Sequence, residues 1–99
     1  MLHIVNKSPG QAHALRSCLR IAQDGETLLL IEDGVYAATA AGAMACGLDQ
    51  ALKRLKVYVL LPDLEARGMA ARRIDGVEPV DYPGFVDLVA GHPTQQSWL

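Results

Sequence analysis

The sequence predicts an α/β fold built on a mostly parallel sheet, and three observations carry that prediction. Four short apolar runs, at residues 2–5, 28–31, 57–61 and 77–80, are spread along the chain. The second and third are continuous rather than alternating, which is the habit of strands covered on both faces. Helical patterns fill the intervals, giving the order strand, helix, strand, helix, strand, short helix, strand, helix. With right-handed crossovers, that order makes a small three-layer sandwich around a parallel sheet of four or five strands, flavodoxin-like in sense. Ninety-nine residues suit a single domain, residues 1–99, because domains commonly run to ~100–150 residues.

The helices follow from local signals. Ala12, Leu15, Leu19 and Ala22 recur at i, i+3, i+7 and i+10 and form one apolar stripe. Ser8 is the expected N-cap of this helix, with Pro9 at its first position. Gly25, after Asp24, supplies the left-handed stop. A second helix is expected over about 35–44, interrupted at Cys46-Gly47 and continued through Leu48, Leu52 and Leu55. Residues 62–67 form a short helix ended by Gly68. Residues 83–90 form the last, with Phe85, Val86, Leu88 and Val89 as its apolar positions and His92-Pro93 as its stop.

Composition narrows the function. Hydrophobic residues make up 51% and charged residues 20%, a globular balance. Nine basic residues against eleven acidic ones give a net charge of −2, which excludes nucleic-acid binding by bulk charge. No stretch approaches the ~18 apolar residues of a membrane span. The N-terminal segment lacks a basic region followed by a long apolar one. A cytoplasmic protein with free Cys18 and Cys46 is therefore expected.

The chemistry-bearing residues are few. Cys18 lies two turns into the first helix, on its apolar face and beyond the terminal turn where the helix dipole acts. It is a weak candidate for a sulfur-carrying thiol. Cys46 lies near a helix C-terminus, where the dipole opposes a thiolate. There is no C-x-x-C pair, nor the spacing from a cysteine to an arginine that a phosphatase-type anion loop needs. His3, His13 and His92 share no metal-ligand spacing. No cofactor is expected.

In open α/β sheets ligands sit beyond the carboxyl ends of the strands. Those ends carry Asn6-Lys7-Ser8-Pro9, Glu32-Asp33-Gly34, Pro62-Asp63 and Asp81-Tyr82-Pro83. The first lacks the glycines or hydroxyls of a phosphate loop, and the others are acidic, which disfavours a polyphosphate. Asp33, Gly34, Asp63, Arg67 and Gly68 are instead expected to form a charged corner able to face a partner. Asp63 and Arg67 are spaced as an i,i+4 ion pair. Lys53-Arg54-Leu55-Lys56 and Arg72-Arg73 are expected to be solvated faces. Trp98 and Leu99 end the chain after a polar segment. A tryptophan there needs cover, either from its own domain or from another subunit.

Taken together these segments resemble the TusB/DsrH family of sulfur-relay subunits, over nearly the whole chain. The resemblance rests on Met1-Leu2-His3 with Lys7-Ser8-Pro9, and on residues 28–31 running into Glu32-Asp33-Gly34-Val35-Tyr36-Ala37-Ala38. It rests further on residues 56–61 followed by Pro62-Asp63-Leu64-Glu65-Ala66-Arg67-Gly68, on residues 80–88, and on Ser97-Trp98-Leu99. No one motif is specific; their order and spacing carry the likeness. The resemblance implies a DsrE-like domain that assembles with TusC-type and TusD-type paralogous subunits as a dimer of heterotrimers. It implies relay of persulfide sulfur to a TusE/DsrC-type carrier, ending in 2-thiouridine at tRNA wobble positions. The main sulfur-carrying cysteine would belong to the TusD-type partner, with no direct nucleic-acid contact by this chain. Two alternatives stand beside that reading. One is a DsrH-type subunit serving sulfur oxidation, with Cys18 as a secondary thiol. The other is a small flavin- or nucleotide-binding module.

Overall fold

In the computed structural model, which describes residues 1–10 and 13–98, the four apolar runs become strands and a fifth joins them. The strands are β1 (Leu2–Val5), β2 (Thr27–Leu30), β3 (Lys56–Leu60), β4 (Val77–Val80) and β5 (Gln95–Trp98). All pair in parallel, in the order β4-β3-β2-β1-β5. The expected parallel α/β sheet is present. β2 and β3 each begin one residue earlier than the apolar runs suggest.

The crossover segments are α1 (Ala14–Ile21), a 3₁₀ helix (Glu32–Ala38), α2 (Ala40–Cys46), α3 (Leu48–Ala51), α4 (Leu61–Ala66), a 3₁₀ turn (Ala70–Arg72) and α5 (Tyr82–Ala90). Steps from β1 to β4 all run one way across the sheet, whereas β4 to β5 returns over its full width. Right-handed crossovers therefore set α1 to α4 on one face and α5 on the other. Side-chain alternation agrees with this division. Val5, Leu28, Leu30, Val57, Val59 and Val77 join Leu15, Cys18, Leu19, Ala43, Leu48 and Leu64 in one core. Leu2, Leu29 and Leu60 are equally buried but stand outside that cluster, on the opposite pleat positions.

Three expectations about local structure are corrected. The first helix begins at Ala14 with His13 at its N-cap, not at Ser8-Pro9. Pro9-Gly10 forms a turn, which a following glycine favours over helix entry; Ala12 lies outside the described residues. The second helix is not continuous over 35–44. Thr39 adopts extended backbone between the 3₁₀ helix and α2, and its Oγ1 caps α2 by accepting from the Gly42 N–H at 3.2 Å. A Cβ on Gly42 would strike the Tyr36 carbonyl oxygen, so the two segments meet only because residue 42 is glycine. Residues 95–98, expected as a polar tail, are the edge strand β5, hydrogen-bonded in register to Leu2–Val5.

Candidate functional site

The strand-end loops converge at one corner of the sheet. Asp33 and Arg67 meet there, with Arg67 Nε donating to Asp33 Oδ1 at 3.0 Å. The i,i+4 ion pair of Asp63 and Arg67 does not form side chain to side chain. Arg67 Nη1 donates instead to the Asp63 backbone carbonyl at 3.1 Å. The Asp63 carboxylate is turned to the neighbouring loop, where Oδ2 accepts the Glu32 N–H at 2.7 Å. That bond holds Glu32 at φ 49°, a left-handed conformation uncommon for a residue other than glycine. Asn6 Nδ2 donates to Glu32 Oε2 at 3.3 Å, linking the end of β1 to the same loop.

Gly34 is the pivot of this corner. A Cβ there would collide with the Val5 carbonyl oxygen, and the Val5 carbonyl carbon would lie 3.1 Å from it. The close approach lets Ile31 N–H donate to Val5 O at 3.0 Å, extending the β1–β2 ladder into the turn. Gly68 lies beyond α4 at φ 67°, exposed, where glycine adopts the left-handed geometry freely. Asp33, Gly34, Asp63 and the Arg67 side chain thus gather at the strand ends, whereas Gly68 follows at the far end of α4. Their charges are largely spent on one another, and the corner holds no nucleophile.

The thiols lie elsewhere and inward. Cys18 is 0% exposed within the core, and burial pushes its thiol up to about 12, with the nearby Glu26 charge adding to the rise. Cys46 is 8% exposed at the end of α2. Its Sγ donates to the Gly42 carbonyl at 3.3 Å, and burial raises its thiol as well. Neither sulfur has the exposure that activates a cysteine; Cys46 borders a cleft that Arg16 also lines, yet burial outweighs the arginine and its thiol stays raised.

Trp98 packs on its own domain. Its indole sits against the core at the end of β5, and Nε1–H donates to His3 Nδ1 at 3.1 Å. An indole can only donate, so His3 Nδ1 is unprotonated and the ring proton resides on Nε2. That proton faces Glu26 Oε1 at 3.0 Å. The same carboxylate accepts the Gln23 N–H at 2.8 Å and pairs with the Met1 amino group at 3.3 Å. The His3 bond, then the Gln23 amide and the amino group, hold Glu26 down at about 2 against a smaller opposing effect of burial. Sequence reasoning missed this chain. Its only signal was a histidine at the position whose pleat neighbour, Val5, faces the core. Leu99, also expected at an interface, lies outside the described residues.

Arg54, expected in a solvated run, is half-buried: Nη1 donates to Ala22 O at 2.6 Å and Nη2 to Leu19 O, capping α1. Among the described residues no group of three His, Cys, Asp or Glu side chains converges as a metal site. None of their helices is long and apolar enough to cross a membrane.

Comparison with known proteins fits this architecture. A family model described as "DsrH like protein" matches residues 7–95. Protein TusB of Enterobacter sp. (strain 638) is 42% identical over 98 residues, covering 99% of this chain and all of the relative. Protein TusB of Pectobacterium parmentieri is 41% identical over the same span and coverage. Among solved structures, the solution NMR structure of protein Tm0979 from Thermotoga maritima superposes with a TM-score of 0.64. It shares 24% identity and covers 93% of this chain and 94% of that one, a likeness of fold.

Proposed function

The chain belongs to the DsrH family, and on that premise we propose that it is a non-catalytic subunit of a TusBCD-type sulfurtransferase complex. In this reading TusC-type and TusD-type paralogues complete a dimer of heterotrimers. The complex passes persulfide sulfur to a TusE/DsrC-type carrier, for 2-thiouridine formation at tRNA wobble positions. The observation that carries the non-catalytic part is the burial of both thiols, Cys18 above all. A persulfide donor must reach a thiolate, and a group pushed to about 12 is protonated and shielded at neutral pH. The reacting sulfur then lives on a neighbour.

Surface character supports assembly. Tyr82 and Val86 stand one turn apart on α5 and are 59% and 62% exposed, an apolar stripe a monomer gains nothing by showing. The strand-end corner of Asp33, Gly34, Asp63 and Arg67, with exposed Gly68 beyond it at the end of α4, supplies a polar surface for a second contact. Full-length relatives named TusB favour the tRNA branch over sulfur oxidation.

Co-expression with the two paralogues tests the proposal. The expected result is a stable complex whose size matches two copies of each chain. A monodisperse monomer that ignores both paralogues contradicts it.

A further inference from the structure

Between α1 and α2–α3 runs a cleft of about 540 Å³. Its polar lining is His13, Arg16, Ser17, Arg20, Gln50 and Arg54, with Cys46 at its border, and no carboxylate among the described residues lines it. The first four stand at i, i+3, i+4 and i+7 of one helical face. Leu19 and Ala51, both buried, form part of the wall. In a chain of net charge −2, three guanidinium groups around one hollow are a local reversal of sign.

The arginines are not accounted for by their partners within the chain. Arg54 donates to the last carbonyls of α1 and pairs loosely with Asp24, 3.6 Å away on a largely exposed side chain. Arg16 donates one N–H to the Ala45 carbonyl at 2.8 Å. Arg20 reaches only Ser17 Oγ, at 3.5 Å. Each guanidinium carries five N–H donors, so most of this donor capacity is unspent. Neither Arg16 nor Arg20 has a carboxylate partner among the described residues. The dipole at the C-terminal end of α1 explains cations at positions 20 and 54, but not Arg16 in the first turn. Arg16 and Arg20 are also like charges at i,i+4, an arrangement that opposes the helix unless an anion lies between them.

We propose that this cleft binds a phosphomonoester-type oxyanion, with Arg20 and Arg16 as the principal donors and Arg54, His13 and Gln50 around them. The guanidinium fork matches a tetrahedral oxyanion in charge and in bidentate geometry. The cleft volume falls within the ~300–1,000 Å³ of small-molecule sites, so it accommodates an organic group attached to the phosphate as well as the anion alone. Binding at this site does not rest on the sulfur-relay reading: its donors are arginines outside the strand-end corner and α5, and Cys46, which borders the cleft, supplies none of them.

The full chain, titrated at constant ionic strength with inorganic phosphate and separately with adenosine monophosphate, tests it by NMR. Saturable shifts are expected at the Arg16 and Arg20 guanidinium signals and the Gly47 and Gln50 amides. Equal affinity for the two probes identifies the free anion as ligand; tighter binding of the nucleotide identifies an organic phosphate. Arg20→Gln removes no contact to the backbone and is expected to weaken binding about tenfold, the effect of one charge-assisted hydrogen bond. Arg72→Gln, on an exposed arginine away from the cleft, is expected to leave affinity unchanged. Shifts that fail to appear or to saturate overturn the proposal. So does an Arg72→Gln loss as large as that of Arg20→Gln, since the attraction is then surface charge at large.

Discussion

The indole N–H of Trp98 donates to His3 Nδ1 across 95 positions of sequence, joining the last strand of the sheet to the first. β5 is an edge strand whose other three residues are exposed, so this bond and the indole packing are its main side-chain anchors. Trp98→Phe keeps most of the apolar contact and strands Nδ1 of His3, a residue only 2% exposed. A loss of about 1–3 kcal/mol in urea unfolding is expected, the cost of an unpaired buried polar atom. Nitrogen NMR at neutral pH is expected to find the His3 proton on Nε2. A proton on Nδ1 contradicts the assignment.

Glu26 gives the fold an acid-sensitive point. Its folded value of about 2 lies below its ordinary value of 4.5. Its contribution to stability is therefore complete above that ordinary value and is lost as pH falls through 4.5 toward about 2. Glu26→Gln is expected to lower stability at pH 7 and to flatten the fall between pH ~5 and ~2 relative to the parent. Parallel pH profiles for the two proteins contradict this role.

Substitutions at the strand-end corner separate strain from charge. Gly34→Ala drives a methyl group into the Val5 carbonyl and is expected to cost at least about 1–3 kcal/mol, as overpacking does. Asp33→Asn removes a half-exposed ion pair with Arg67, worth at most about 1 kcal/mol. Chemical denaturation of the isolated chain measures both. In complex assembly the order is expected to reverse in interest: Asp33→Asn leaves the fold intact, and any loss of partner binding it causes reports a direct contact. Unchanged binding removes Asp33 from the interface.

Thiol reactivity follows from burial. In the native chain an alkylating reagent at pH 8 is expected to leave Cys18 unmodified for as long as the protein stays folded, and to label it at once in denaturant. Cys18→Ala is expected to cost about 1–2 kcal/mol through lost packing without affecting sulfur relay. Rapid native labelling of Cys18 contradicts the structure.

Much of this was legible in the sequence, and what was not has physical causes. Continuous runs such as 28–31 declare a doubly covered strand, because both faces need apolar cover. β5 gives no such sign: Gln95, Gln96 and Ser97 face solvent, and the strand exists because β1 offers an open row of backbone donors and acceptors. The rule of strand carboxyl ends brought Asp33, Gly34, Asp63 and Arg67 to one corner. It could not say that Asp63 would serve the Glu32 amide and leave Arg67 to Asp33, since that exchange depends on loops from different strands. The burial of Cys18 was readable from helical spacing alone. The His3–Glu26 pairing was not, because it joins a strand to a turn 23 residues away.

In the proposed role the reacting sulfur is carried by a neighbour and not by this chain. Intact-mass analysis of the reconstituted complex, loaded by a cysteine desulfurase with its sulfur source, tests it most directly. One added sulfur atom is expected on the TusD-type subunit and none on this chain, with undiminished transfer to the carrier when Cys18 and Cys46 are both replaced by alanine in a folded variant. Added sulfur on Cys18, or loss of transfer in that variant with the complex still assembled, contradicts it.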